Sequence, residues 1–176
     1  KHMKKLSKIL MICLIFGSLQ SVTLAETVSN VLLNPGFEDG LSYWEITTDF
    51  LEPHEYDKVV SDDAEPRTGS YSLNYYGENA FEFTLTQEVD NLPNGIYTLT
   101  VYSEGDSDIG ADISISVKTT DQSITMNNIT NQGWRKWQEV KTENIVVEQG
   151  KCAVSINVKG DAGYWGHIDD ITLVRM

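Results

Sequence analysis

Carboxylates, histidines and cysteines are the side chains of this sequence that could carry acid–base or nucleophilic chemistry. The 176 residues include 26 Asp and Glu, so some pair of carboxylates lies close together in any fold, and closeness alone does not identify a hydrolytic pair. The chain has three His and two Cys, with no Gly-rich phosphate loop and no nucleophile-elbow sequence. These residues therefore do not predict an enzyme.

Aromatic side chains in or beside predicted turns are the stronger signal, because a bulky ring in a loop is costly unless it binds something. The ring candidates are Tyr76, Trp134, Trp137, Tyr164 and Trp165, and their polar neighbours are Glu78, Asn79, Glu104, Arg135 and His167. A pyranose can lay its C–H face on an aromatic ring while planar polar side chains bind its hydroxyls. We therefore predict a surface that binds carbohydrate.

Some of the Trp and His side chains also have a structural interpretation. We expect Trp44, near the start of the domain, to lie in the core. Trp134 and Trp137 are three residues apart, which places them on opposite faces of an extended segment, so we expect one of the two to be buried. His167 stands at a predicted strand start, where we expect a structural hydrogen bond rather than a sugar contact.

The elements that must position these side chains are predicted to be short β-strands. Apolar and polar residues alternate clearly in the segments 81–86, 97–101, 113–117 and 154–158. Turn sequences rich in Asn, Pro and Gly separate such segments, and we expect around ten strands in all. The predicted fold class is all-β, a two-sheet antiparallel β-sandwich of the jelly-roll kind, which buries one face of every strand.

The first 25 residues have the layout of a secretory signal peptide. A basic patch at 4–8 precedes an apolar run at 9–16, and residues 23–25 fit a cleavage site. The run is too short for a transmembrane helix, which needs roughly 20 apolar residues. We therefore predict that residues 1–25 are a two-residue cloning remnant, Lys1 and His2, followed by a signal peptide, and that residues 26–176 form one secreted domain.

The chain is acidic, with a formal net charge of −13 that becomes more negative once the signal segment and its four Lys residues are removed. An acidic surface repels the phosphate backbone of nucleic acids and anionic membranes. We therefore expect neutral glycans or cations as partners, and neither nucleic acid nor membrane. Because Cys13 lies in the signal segment, Cys152 is left unpaired, and we interpret it as a buried, inert thiol.

Motifs at both ends and in the middle of the domain resemble a known family of sugar-binding proteins. The end motifs are Asn34-Pro35-Gly36-Phe37-Glu38 and Gly166-His167-Ile168-Asp169-Asp170-Ile171. The internal motifs are Tyr75-Tyr76-Gly77-Glu78-Asn79-Ala80-Phe81, Leu92-Pro93-Asn94-Gly95-Ile96-Tyr97, Gly133-Trp134-Arg135-Lys136-Trp137 and Ala162-Gly163-Tyr164-Trp165-Gly166. The end motifs are similar to those of galactose-binding-like jelly-roll modules. The internal motifs resemble carbohydrate-binding module family 61, found in bacterial endo-β-1,4-galactanases, although Tyr76 stands where those modules would carry Trp.

The resemblance implies a non-catalytic module that binds β-1,4-galactan or another galactose-containing polysaccharide. It further implies a galactanase catalytic domain as partner, which the module tethers to its substrate. It also implies a structural Ca²⁺ ion held by Glu38, Ser70 and Asp170 with backbone oxygens of the Arg67–Ser70 turn, because hard oxygen ligands suit calcium. Asp169 is the alternative carboxylate ligand.

Two other functions remain open from the sequence. A calcium-stabilised structural or adhesion domain of a cell-surface protein would use the same sandwich as a spacer and would not respond to glycans. A small glycan-cleaving enzyme would release reducing ends from galactan.

Overall fold

The computed structural model describes residues 29–48 and 66–176, together with the backbone of residues 58–61. The predicted signal peptide, residues 1–25, lies outside the described residues, so its cleavage and the export of the domain stay predictions. Within the described ranges, no helix is long and apolar enough to cross a membrane.

The described residues form two antiparallel sheets, as the two-residue alternation predicts. The strands are β1 (Glu45–Thr48), β2 (Lys58–Ser61), β3 (Tyr71–Tyr76), β4 (Phe81–Asp90), β5 (Gly95–Gly105), β6 (Ala111–Thr119), β7 (Ser123–Met126), β8 (Gln138–Val147), β9 (Lys151–Gly160) and β10 (Trp165–Arg175). Sheet I has the order β1-β4-β9-β6-β7, and sheet II has the order β2-β3-β10-β5-β8. The predicted fold class, an all-β antiparallel sandwich of two sheets, is confirmed.

The core lies between the two sheets because each strand turns its alternate apolar residues inward. In β4 of sheet I, Phe81, Phe83 and Leu85 are buried, while the residues between them are partly exposed. Sheet II contributes Leu99 and Leu173, which are buried partners on the neighbouring strands β5 and β10. This packing leaves the outer face of each sheet available for polar and aromatic side chains.

Trp44 and Cys152 are both buried, as predicted. The Trp44 ring is 6% exposed and packs on Phe37 with ring centroids 5.9 Å apart. Its indole N–H donates a hydrogen bond to the carbonyl of Asn34 at 3.0 Å, so its polar group is satisfied. Burial raises the pKa of the Cys152 thiol to about 11, so the thiol stays protonated at neutral pH and is a poor nucleophile.

The central strand of sheet II, β10, sets the positions of the predicted site residues. Its register places His167 between Asn74 of β3 and Glu104 of β5. Trp165 lies two residues before His167 in β10, on the same face of the sheet, and is paired with Tyr76 of β3. These five side chains therefore share the outer face of sheet II.

Candidate functional site

Three indoles and one imidazole form a group on the outer face of sheet II, which we call the aromatic cluster. Its members are Trp134, Trp137, Trp165 and His167. The ring of Trp134 lies 5.6 Å from that of Trp165 and 5.8 Å from that of His167, measured between centroids. Trp137 lies 6.4 Å from His167. Trp134 is 44% exposed, and Trp137 and Trp165 are half-buried, so the cluster presents ring surface to solvent.

Trp134 and Trp137 both belong to this cluster, so the prediction that one of them lies in the core is wrong. The segment is not extended: Lys136 N donates to Gly133 O at 3.3 Å, which closes a turn. Gly133 has a φ of 101° and Arg135 a φ of 60°, and these left-handed conformations reverse the chain direction. The turn therefore brings both indoles to the same side of the molecule.

A buried polar pair forms the floor of the cluster. His167 Nδ1 and Glu104 Oε1 are 3.1 Å apart, and the two residues are 3% and 0% exposed. Both side chains point to the outer face of the sheet, so they are buried by the indoles above them rather than by the core. The predicted structural hydrogen bond of His167 is thus present. The second carboxylate oxygen of Glu104, Oε2, is buried and has no hydrogen-bond partner among the described residues.

Tyr76, another predicted ring contact, adjoins the cluster. It is the cross-strand partner of Trp165, and its side chain is half-buried. Opposite residues in an antiparallel pair have Cβ atoms about 5 Å apart, so the Tyr76 side chain adjoins that of Trp165. Tyr76 therefore lies beside the aromatic cluster on the outer face of sheet II.

Tyr164 is not part of this surface, so its predicted contact with ligand is wrong. Its ring is 1% exposed and stacks on Tyr75 inside the sandwich, with centroids 6.2 Å apart and an interplanar angle of 25°. Burial raises the pKa of its phenol. The reason is local geometry: consecutive residues point to opposite faces of a strand, so Tyr164 faces inward where Trp165 faces outward.

The remaining polar candidates lie in exposed loops at the same end of the sandwich. Glu78 and Asn79 are exposed in the turn after β3. This turn is held next to the start of β10, since Gly163 N donates to Gly77 O at 2.7 Å. Arg135 is exposed between the two indoles of its turn. Their contact with a ligand stays a prediction.

Sequence reasoning missed two residues of this region, Asn74 and Asn131, and the contact of Arg67 with Tyr102. The alternation of β3 would have indicated Asn74, because it lies two residues before Tyr76 and therefore faces the same side of the sheet. Arg67 lies with its guanidinium carbon 3.4 Å from the ring centroid of Tyr102, two residues along the outer face from Glu104. Asn131 is buried in the same loop that carries Trp134. The contacts of Arg67 and Asn131 join distant parts of the chain, and no local pattern indicates them.

The predicted calcium ligands meet at the turn before β3. Glu38 Oε1 accepts hydrogen bonds from the backbone N–H groups of Ser70 and Tyr71 at 2.9 and 3.0 Å. Asp170 Oδ2 forms an ion pair with Arg67 Nη1 at 2.6 Å. The two carboxylates therefore contact the same five-residue segment from the two ends of the domain.

Asp169 lies beside this turn and is fully buried. Its Oδ2 accepts hydrogen bonds from the backbone N–H groups of Arg67 and Thr68 at 2.8 and 3.3 Å. Burial, followed by the charge of Asp170, raises the pKa of the Asp169 carboxyl to about 7. Three carboxylates thus surround the turn, and their oxygens accept hydrogen bonds from its backbone N–H groups and from the Arg67 guanidinium.

Side chains alone do not complete a metal site. Across residues 29–48 and 66–176, no group of three or more His, Cys, Asp and Glu side chains is arranged to hold a metal ion. A cation at the turn would therefore need backbone carbonyl oxygens as further ligands, as calcium commonly uses.

Comparison with known proteins identifies the family. Neither a protein-family model nor a curated protein matches this sequence. Among solved structures, TmCBM61 in complex with β-1,4-galactotriose is 33% identical to this chain and superposes with a TM-score of 0.75. The match covers 84% of this chain and 99% of the other.

More distant structures share the fold. A family 16 carbohydrate-binding module is 18% identical with a TM-score of 0.56, over 83% of this chain and 100% of that one. The C-terminal family 22 module of Clostridium thermocellum Xyn10B is 12% identical with a TM-score of 0.53, over 80% and 91% of the two chains. These two likenesses concern the fold alone. The similarity to TmCBM61, at one residue in three over nearly its whole length, goes further: this chain belongs to carbohydrate-binding module family 61.

Proposed function

We propose that this carbohydrate-binding module recognises β-1,4-galactan, or a closely related galactose polymer, on the outer face of sheet II. The observation that carries the proposal is the aromatic cluster: three indoles from two distant segments gather on one solvent-facing surface over a buried His–Glu pair. The structure of TmCBM61 with β-1,4-galactotriose supports galactan as the ligand class.

Stacking supplies the affinity in this proposal. The C–H face of a galactosyl unit lies on the ring of Trp165, and Trp134, tilted by 59° to that ring, contacts the side of the sugar, so that apolar surface of both partners is removed from water. A second unit extends across Tyr76, the cross-strand neighbour of Trp165.

Hydrogen bonding supplies the specificity. Galactose differs from glucose by an axial 4-hydroxyl, and a site that binds this group rejects the epimer that lacks it, because polar atoms are then left unpaired. Glu104 Oε2, buried and without a partner among the described residues, is the acceptor we assign to a sugar hydroxyl. A rotamer change of Trp137 when sugar binds would open the path to this oxygen, while Trp134 and Trp165 keep their positions.

Calorimetric titration of the domain with galactotriose and cellotriose tests this proposal. We expect saturable binding of galactotriose and at least tenfold weaker binding of cellotriose. Equal affinity for both sugars would contradict galactan specificity, and heat from neither would contradict glycan binding on this surface. Reducing-end release from galactan, measured in parallel, is expected to stay at background.

We also propose a structural calcium ion at the Arg67–Ser70 turn, with Glu38 and Asp170 as its carboxylate ligands. Calcium would add fixed positive charge between carboxylates that the first and last parts of the domain bring together. We expect a chelator to lower the thermal midpoint of the wild type, and calcium to restore it. Glu38→Gln should reduce this calcium response, whereas Glu45→Gln, an exposed carboxylate in β1, is the control and should keep it. An unchanged midpoint with chelator would contradict the ion.

The setting we propose is outside the cell, attached to or beside a galactanase. Binding would then raise the local concentration of the catalytic domain on its polymer, an effect of tethering rather than of chemistry. Galactanase activity on insoluble galactan, with the catalytic domain fused to the wild type or to Trp165→Ala, tests the tether. Equal rates on insoluble substrate would contradict it.

A further inference from the structure

Asn131 is a buried amide in the loop between β7 and β8, with its side chain 8% exposed. The carboxamide uses both of its ends. Ser103 Oγ donates a hydrogen bond to Asn131 Oδ1 at 3.0 Å, and Asn131 Nδ2 donates to Tyr164 Oη at 2.9 Å. A loop side chain buried this deeply, with one polar partner in β5 and the other just before β10, ties three separate parts of the chain together.

Each partner of Asn131 is next in sequence to a residue of the outer face. Ser103 directly precedes Glu104 in β5, and Tyr164 directly precedes Trp165 at the start of β10. Consecutive strand residues point to opposite faces, so a hydrogen bond on the inner residue fixes the backbone from which the outer residue projects. Asn131 itself lies three residues before Trp134. Its side chain thus connects the backbone supports of both halves of the aromatic cluster.

The backbone around Asn131 leaves little room for movement. Gly133 N donates to Gly105 O at 2.9 Å, which attaches the loop to the end of β5 a second time. A Cβ atom at Gly105 would lie 2.5 Å from Asn131 Nδ2 and 2.6 Å from the carbonyl oxygen of Trp165. Only glycine allows the loop to approach β5 this closely.

We propose that Asn131 is the positioning residue of the aromatic cluster. Its two hydrogen bonds hold the ring of Trp134 against that of Trp165, so that the surface is formed before a sugar arrives and less ordering is needed on binding. A buried network in which both ends of the amide are bonded favours one arrangement of the loop over others. The effect on affinity rests on the proposed function, since positioning of these rings matters to a glycan only if the glycan binds there.

Tyr164→Phe is the variant that tests the proposal, because it removes the hydroxyl that Asn131 binds and keeps the buried ring. Tyr97→Phe is the matched control: Tyr97 is also fully buried, and its hydroxyl donates to Pro93 O at 2.7 Å, at the other end of β5. The measurements are galactotriose affinity by calorimetry, the thermal midpoint, and the circular-dichroism exciton signal of the Trp134–Trp165 pair, which depends on the ring geometry.

We expect both substitutions to lower the thermal midpoint, and only Tyr164→Phe to change the other two readouts. Its galactotriose affinity should fall by about 2- to 10-fold, the range expected when one large side chain must be ordered on binding. The exciton signal should weaken in the same variant without any sugar. Ser103→Ala, which removes the other partner of Asn131, should act in the same direction and carries the test if Tyr164→Phe does not fold.

An exciton signal and an affinity that remain at wild-type values in Tyr164→Phe and Ser103→Ala would overturn the proposal. Equal losses of affinity in Tyr164→Phe and Tyr97→Phe would also overturn it, because they would reflect general destabilisation. If the wild type fails to bind galactotriose, the proposed function fails, and the exciton signal alone then decides whether Asn131 positions the rings.

Discussion

Trp165 and Tyr76 are direct cross-strand partners at adjoining ends of β10 and β3. The next pair, Gly166 and Tyr75, points into the sandwich, and both residues are buried, so the first pair must point out. A Cβ at Gly166 would clash with the Tyr75 hydroxyl group, which shows how closely the inner pair packs. Tight packing inside therefore fixes the position of the two rings outside.

Removal of the Trp165 ring is expected to abolish most of the glycan affinity while leaving the fold intact. Trp165→Ala should weaken galactotriose binding by about 2 kcal/mol, roughly 30-fold, as for other central aromatic anchors. Trp44→Ala is the core control. It should lose about 3–5 kcal/mol of unfolding free energy and should bind galactotriose like the wild type at temperatures at which it is folded. Calorimetry and denaturant unfolding separate the two effects, and wild-type affinity in Trp165→Ala would exclude this ring from the site.

A larger ring at position 76 is expected to strengthen binding. Tyr76→Trp enlarges the stacking surface beside Trp165 and should gain about 0.5–1 kcal/mol from the extra apolar area that a sugar covers. Titration with galactotriose measures the gain. Tyr71→Trp, at an exposed tyrosine at the far end of β3, is the control and should bind like the wild type. An equal gain in both variants would show that the effect is not specific to this surface.

The carboxylate of Glu104 is expected to matter through its unpartnered oxygen. Glu104→Gln keeps the size of the side chain and one oxygen for His167, but presents an NH₂ group where a sugar hydroxyl would donate. We expect galactotriose affinity to fall by about 1–3 kcal/mol, the usual cost of an unpaired buried polar group. Retention of wild-type affinity together with a normal fold would show that no sugar hydroxyl reaches Oε2.

The thiol of Cys152 is expected to lower the unfolding free energy of the domain at alkaline pH. Its pKa is raised by burial to about 11 from the usual 9.0, so above pH 9 the unfolded state releases this proton more readily than the folded state. The unfolding free energy should therefore fall between pH 9 and pH 11. Comparison with Cys152→Ala isolates the effect, because other groups titrate in both proteins. Identical pH profiles would indicate that the thiol is not desolvated.

The strands were the most predictable part of this protein. Alternation in 81–86 or 154–158 follows directly from a sheet with one buried face, and β4 and β9 have that burial pattern. Trp165 was also accessible to sequence reasoning, since a ring beside glycines before a strand indicates exposure. Alternation alone does not determine which of two adjacent residues faces the core. Tyr164 and Trp165 are adjacent aromatic residues, and only the register of β10 decides which of them faces inward.

The loops were less predictable, for physical reasons. Alternation along an extended chain places Trp137 opposite Trp134, whereas left-handed φ values at Gly133 and Arg135 fold the segment into a turn. Asn131 gave no signal, because its partners Ser103 and Tyr164 are 28 and 33 residues away in sequence. Contacts of that range depend on how the two sheets close, which a local pattern does not contain.

The direction of β10 determines how the domain can be oriented on a support. Trp165 begins the strand and Arg175 ends it. At about 3.3 Å per residue, roughly 33 Å separate the end of the sandwich that carries the aromatic cluster from the opposite end. Asn30 forms an isolated antiparallel β-bridge with Val174 at that opposite end. A sensor chip or bead coupled to the backbone at Met176 would therefore leave the aromatic cluster turned away from the support, towards a polymer in solution.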